Sequence, residues 1–298
     1  AGLEPIVEPV DSAKPDNPGP WTFVSIPDFL NVDTEYPQEG WEDAIAYVLE
    51  AVKAENPDFV LVAGDLVMGR WWSEADVDKY AALYYPAWIQ RMQEHGLKFY
   101  TAIGDHELGD NPWPPPKAKL VPRLKQRFRE YLGMPLNGPE QMQGTAFWWK
   151  HKNTLFVAVD PFEPGQGPQG GIVCQVTGEQ IEWLEGVLAQ HEEVDHVVVM
   201  GHTPILTPVW KWSSSGLLLS GGRDSPLWQT MKQRVDLYLC GEVHAITCTE
   251  RDGVEQIAHG GLFGYNPEVS YLVVKVSPER IELELKAIGI VNSGEKLW

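Results

Sequence analysis

Phe59-Val60-Leu61-Val62-Ala63-Gly64-Asp65 and Phe99-Tyr100-Thr101-Ala102-Ile103-Gly104-Asp105-His106-Glu107 decide the fold. Each is an unbroken apolar run that stops at glycine and a carboxylate. Such runs are the signature of strands buried on both faces of a parallel sheet, with ligand-type side chains delivered at the strand end. Working outward, Thr22 to Ile26 leads to Pro27-Asp28, His196 to Met200 leads to Gly201-His202-Thr203-Pro204, and Val235 to Cys240 leads to Gly241-Glu242-Val243-His244. Loops at the carboxyl ends of α/β strands share one crevice, so residues distant in sequence converge there.

Helices separate the strands. Trp41, Ala44, Ile45, Val48, Leu49 and Val52 recur at helical spacing and make one apolar stripe. Asp76 to Glu94 reads as a helix kinked at Pro86, and Leu120 to Tyr131 as a basic helix after a proline-rich loop. Thr177 with Gln180 is a capping box for a helix through Leu188. The later chain turns to hairpins: Phe147 to Lys150 against Thr154 to Val159, another around Arg251-Asp252-Gly253, then the alternating runs Tyr271 to Val276 and Ile281 to Leu285.

Composition sets outer bounds. The 298 residues, 43% of them hydrophobic, suffice for one large core, and we read an extended proline-rich arm over 1–20 and a single domain over 21–298. A net charge of -19 repels nucleic-acid duplexes and anionic membranes. No apolar run reaches the roughly 20 residues of a membrane span. The start at Ala1 and the polar arm suit a secreted or periplasmic chain after leader cleavage, with the cytoplasm as the alternative. Cys174, Cys240 and Cys248 allow at most one disulfide, leaving a Cys240 to Cys248 bridge open.

A lone Asp65 could cap a turn and a lone His202 could be a satisfied loop histidine. Five strand-end turns carrying carboxylates and imidazoles in one order instead point to a shared metal centre. If Glu242-Val243-His244 is extended, Glu242 and His244 face the same side.

In the order of these motifs, over roughly Trp21 to Leu285, the chain resembles the calcineurin-like metallophosphoesterases. The resemblance implies a four-layer α/β sandwich of two mixed sheets flanked by helices. It also implies hydrolysis of phosphate monoesters or diesters by a metal-bridging hydroxide at a dinuclear centre. Carried over, site one holds Asp28, Asp65 and His244, and site two holds Asp65 as bridge, Asp105, His202 and Glu242. His106 corresponds to the family histidine that contacts phosphate and assists the leaving oxygen, with Asp65 as its catalytic companion. Arg70, shifted in register, is a candidate phosphate clamp, and Gly260-Gly261 matches a frequent glycine pair.

Three positions depart from the family pattern: Leu30 replaces the first histidine, Asp105 an asparagine, and Glu242 the first histidine of the last motif. Asn31 could offer its amide oxygen to site one in place of Leu30. The carboxylates Asp28, Asp65, Asp105 and Glu242 make a hard cage, so two manganese or iron ions are expected, with zinc, magnesium and calcium as further candidates. The expected substrate is a small phosphate ester or related anionic ester. Sulfate, phosphonate or phosphotriester hydrolysis, or a degenerate member that binds without turnover, are the alternatives. Of the 13 tryptophans, Trp71, Trp72, Trp113, Trp210 and Trp212 follow the motifs and could stack a substrate, while the loops 111–116 and Leu206 to Pro226 read as lids.

Overall fold

The computed structural model describes residues 19–28, 41–211, 214–261 and 268–289. The elements run β1 (Trp21–Ser25), α1 (Trp41–Ala54), β2 (Val60–Val62), α2 (Glu74–Glu94), β3 (Phe99–Thr101), α3 (Pro115–Ala118) and α4 (Val121–Leu132). There follow β4 (Phe147–His151), β5 (Thr154–Ala158), β6 (Phe162–Gly167), β7 (Gly170–Cys174), α5 (Gly178–Gln190) and β8 (His196–Met200). The chain then forms α6 (Pro226–Met231), β9 (Leu237–Cys240), β10 (Thr247–Arg251), β11 (Val254–Ala258), β12 (Glu268–Val276) and β13 (Ile281–Gly289).

One sheet has the order β13-β12-β1-β2-β3 and the other β10-β11-β9-β8-β5-β4. In the first, β1, β2 and β3 are parallel, and β12 closes antiparallel on β1. In the second, β5, β8, β9 and β11 are parallel between antiparallel edges. The sheets face each other across an aromatic seam. Phe156 meets Phe23 and Phe59 edge-on with centroids 5.3 and 5.2 Å apart, and Tyr100 stacks on Trp149 at 3.8 Å. The Ile45, Val48, Leu49 and Val52 stripe of α1 joins this core, while Leu184, Val187 and Leu188 of α5 and Leu227 of α6 form a second core on the outer face of the second sheet. The layers are therefore helix, sheet, sheet, helix, the mixed α/β sandwich expected.

Local details differ from the sequence reading. Helix α2 starts at Glu74, because Ser73 caps it by accepting from the Asp76 amide at 3.1 Å, and it continues through Pro86. The Thr177 and Gln180 capping box does not form. Thr177 Oγ1 donates to Glu163 at 2.7 Å, and Gln180 bonds both backbone groups of Asp160. These side chains tie α5 to the β5–β6 connection instead of capping their own helix. Asp78 on α2 accepts from Arg123 and Arg127 and clamps α2 to α4. All three cysteines are free, which settles the Cys240 and Cys248 question.

Phe156 is 1% exposed and sits at the centre of the seam. Phe156→Ala should lower unfolding free energy by about 3–5 kcal/mol, as emptied aromatic sites do. Urea denaturation checks this, and a loss below about 1 kcal/mol would contradict a seam that joins the sheets.

Candidate metal centre

Asp28, Asp65, Asp105, His202, Glu242 and His244 all lie in turns just beyond strand carboxyl ends, and all are buried. The turns are tight. Asp28, Asp65, Glu242 and His244 have φ of 56°, 61°, 67° and 50°, the left-handed region that non-glycine residues enter at a cost and that concentrates at functional sites. Glu242 and His244 are therefore not in extended chain, correcting the alternation argument. The left-handed turns at both residues send Glu242 towards Asp105 and His202, and His244 towards Asp28 and Asp65. Two glycines make room. A Cβ on Gly104 would stand 2.1 Å from Asp65 Oδ1, and one on Gly241 would stand 2.6 Å from Asp28 Oδ2.

Ligand-type atoms gather in three overlapping groups, each within 4.8 Å: Asp28 with Asp65 and His244, Asp65 with Asp105 and His106, and Asp105 with His202 and Glu242. The first group has the residues expected of site one, the third has Asp105, His202 and Glu242 of the expected site two without Asp65, and the middle group, which adds His106, links them through Asp65 and Asp105. His202 Nδ1 donates to the Ala63 carbonyl at 2.7 Å, which leaves Nε2 towards the carboxylates. From Nε2, Asp105 Oδ1 lies 3.1 Å away, and Asp65 Oδ2 and Glu242 Oε2 each lie 3.4 Å away. Asp28 Oδ1 accepts from the Glu242 amide at 2.9 Å, but the buried Oδ2 has no hydrogen-bond partner. Asn31 falls outside the described residues.

Glu107, unassigned by sequence reading, holds the loops in place. Its Oε2 accepts from the amides of Asp65 and Gly104, and Oε1 from those of Leu66 and Val67, at 2.8 to 3.3 Å. The loops after β2 and β3 are thereby fixed to each other. An acid following a strand-end turn was visible in the sequence, but its direction was not. Ser214, Ser215 and Asn111 also line the crevice with Arg70 and His106, and the sequence placed them only within the two segments read as lids. Arg70 pairs with Asp110 at 2.7 Å, and His106 Nδ1 donates to the Met68 carbonyl at 2.7 Å.

The electrostatics are those of a cation site. Burial, then Asp65 and Glu242, pushes the Asp28 carboxyl well above its ordinary range, and burial with Asp105 pushes Glu242 up. Burial and Asp65 raise Glu107 to about 7. Burial lowers His202 and His106, but carboxylates outweigh it, Asp65 foremost: His202 rises well above its usual value and His106 to about 9. Against its own burial, Asp105 is held low by the His202 hydrogen bond and by His106. Burial takes His244 down to about 4, so its ring is neutral and available as a donor at neutral pH. An unpartnered buried carboxylate oxygen, a neutral imidazole and an excess of negative charge together fit divalent cations.

An α/β sandwich that gathers carboxylates and imidazoles at its strand ends is the architecture of metal-dependent phosphoesterases. The calcineurin-like phosphoesterase profile matches residues 33–245, and the chain belongs to that family. A Bacillus subtilis (strain 168) protein described as the uncharacterized metallophosphoesterase YhaO is 27% identical over 95 residues, 29% of this chain and 22% of that protein. A dimetal phosphatase from Danio rerio has a similar structure, with TM-score 0.61 and 15% identity over 90% of this chain and 98% of that one. GAP50, described as the anchor in the inner membrane complex of Plasmodium, gives 0.55 at 15% identity over 94% and 87%. At such identities the structural likeness is one of fold. Among the described residues, no helix is long and apolar enough to cross a membrane.

Metal-free protein should become less stable as pH rises from 6.5 to 9. In that window, folded Glu107 titrates near 7 and folded His106 near 9, both above their ordinary values of 4.5 and 6.5. The folded state thus binds more protons than the unfolded one, and stability falls with rising pH. The depressed His244 and His259 act oppositely but only below 6.5. Thermal unfolding in chelator at pH 6.5 and 8.5 checks this. A midpoint that rises between them contradicts it, and excess manganese should reduce the fall.

Proposed function

We propose that the chain hydrolyses small phosphate esters at a two-metal centre, with Asp28, Asp65 and His244 holding one cation and Asp65, Asp105, His202 and Glu242 the other. The observation that carries this reading is the sharing of Asp65 and Asp105 between adjoining buried donor groups. Carboxylate-rich donors favour hard cations, so manganese or iron is our assignment ahead of zinc. When bound, the two ions supply the positive charge that acidifies water and draws electron density from the phosphoryl group.

The chain's own residues do the remaining work. Arg70 and His106 stand on the wall of a cavity of about 240 Å³, sized for a compact ester, and present cationic donors to phosphoryl oxygens. Asp110 steadies Arg70 at 2.7 Å. His106 Nδ1 keeps its proton on the Met68 carbonyl, so the second proton of the imidazolium, the one that titrates, is carried on Nε2, 3.9 Å from Asp65 and 4.0 Å from Asp110. That proton serves the departing oxygen. Cations offsetting Asp65 and Asp105 would bring His106 down from about 9 towards neutrality, where it can both give and regain a proton. The lining is polar and charged, which suits an anionic ester rather than an aryl group recognised by stacking.

After dialysis against metal-free buffer, elemental mass spectrometry should find two manganese or iron ions per chain. Asp65→Ala should lose metal and turnover together, and a turnover-competent Asp65→Ala protein would rule out the shared ligand. His106→Ala should lower kcat by about 10²-fold or more on alkyl phosphate esters, and much less on p-nitrophenyl esters, whose leaving group needs no proton. Equal losses on both would remove His106 from that role. The same assay run with phosphodiester, monoester, sulfate and phosphonate probes separates the ester classes.

A further inference from the structure

One oxygen of Glu242 is fully engaged away from the metal centre. Its Oε1 accepts from Ser214 Oγ at 3.0 Å, Ser215 Oγ at 2.7 Å, and the amides of Gly216 and Leu217 at 2.8 Å each. Its Oε2 is the atom that faces His202 at 3.4 Å. The Ser215 hydroxyl also accepts from Asn111 Nδ2 at 2.9 Å, and the same amide group donates to Asp105 Oδ2 at 2.8 Å. Asp105, Asn111, Ser215 and Glu242 thus form a hydrogen-bonded arc that starts and ends on two carboxylates of one cation site.

Chemistry explains why a carboxylate stands at 242. A neutral imidazole has one acceptor nitrogen, which a metal would consume, whereas a carboxylate can give one oxygen to the ion and the other to a loop. The four bonds to Oε1 fix a side chain that otherwise loses rotamer freedom on binding, and they leave Oε2 pointing inwards. Coupling of this kind is reciprocal: a loop that favours the ligating orientation is itself favoured, by the same factor, when the ligand is engaged.

We propose that Ser215 and Asn111 are positioning residues for the second cation site, and that Glu242 couples occupancy of that site to closure of the Ser214 to Leu217 segment over the crevice. Metal loading therefore builds one wall of the substrate cavity, which Ser214 and Ser215 line. This rests on the two-metal reading above.

The test is manganese titration by calorimetry of the full chain, stripped of metal with chelator and returned to chelator-free buffer, together with hydrogen exchange at the Gly216 and Leu217 amides. Wild type should bind two ions, and exchange at both amides should slow on loading. Ser215→Ala and Asn111→Ala should each weaken one of the two affinities by about 10-fold, within the range seen for residues that orient metal ligands, and leave the other unchanged. Ser214→Ala, which leaves the arc intact, should weaken it less than about threefold. Two unchanged affinities in both Ser215→Ala and Asn111→Ala, or exchange indifferent to manganese, would overturn the coupling while the two-metal reading stands. A stripped wild-type chain that binds neither manganese nor ferrous iron would overturn both.

Discussion

The structure is organised around the burial of Asp28, Asp65, Asp105, Glu107 and Glu242 within reach of one another. A carboxylate taken from water without compensation costs several kcal/mol, and mutual repulsion adds to it. Compensation is built around the cage. Glu107 takes four backbone amides, Glu242 Oε1 takes two amides and two hydroxyls, Asp28 takes the Glu242 amide, and His202 stands between three of the acids. Aiming so many amides inwards requires sharply turned backbone, hence the left-handed residues and the glycines that admit no side chain. The turns hold only because their strands are anchored in a dense aromatic seam. Residual negative charge is what a pair of cations would balance.

Much of this was legible in the sequence because parallel buried strands announce themselves as apolar runs and their ends as glycine with a ligand. Asp28, Asp65, Asp105, His202, Glu242 and His244, the described members of the expected ligand set, lie near one another in three overlapping groups, with His106 among them. Long-range partnership was not legible. Nothing in Tyr271 to Val276 says that it pairs antiparallel with β1, since register is set by neighbours that only the folded chain brings near. The β6–β7 hairpin was missed because Phe162–Gly167 is rich in glycine and proline, which weaken a strand signal, and its pairing is irregular between Pro164 and Gly167. The roles of Glu107, Asn111 and Ser215 depend on which way a side chain leaves a turn, and spacing does not encode that.

The tryptophans show how composition misleads about recognition. Trp71 and Trp113 follow motifs yet are buried, with the Trp113 indole donating to the Leu108 carbonyl at 2.9 Å. Trp72 and Trp210 are exposed, at 62% and 69%, but neither lines the cavity. Trp212 lies outside the described residues. The crevice is lined instead by charged and hydrogen-bonding side chains, among them Arg70, His106, Asn111 and Ser215.

The divided carboxylate of Glu242 also constrains how this chain can change over generations. Because four donors of the Ser214 to Leu217 segment lean on one oxygen, replacing Glu242 with histidine would strand those donors at a single step. A histidine at 242 would need those donors to find other acceptors, and a segment rewritten to supply them would leave the glutamate oxygen without its partners. Neither first step is favourable alone. Position 242 and the Ser214 to Leu217 segment are thus coupled, and substitutions at the two would be non-additive.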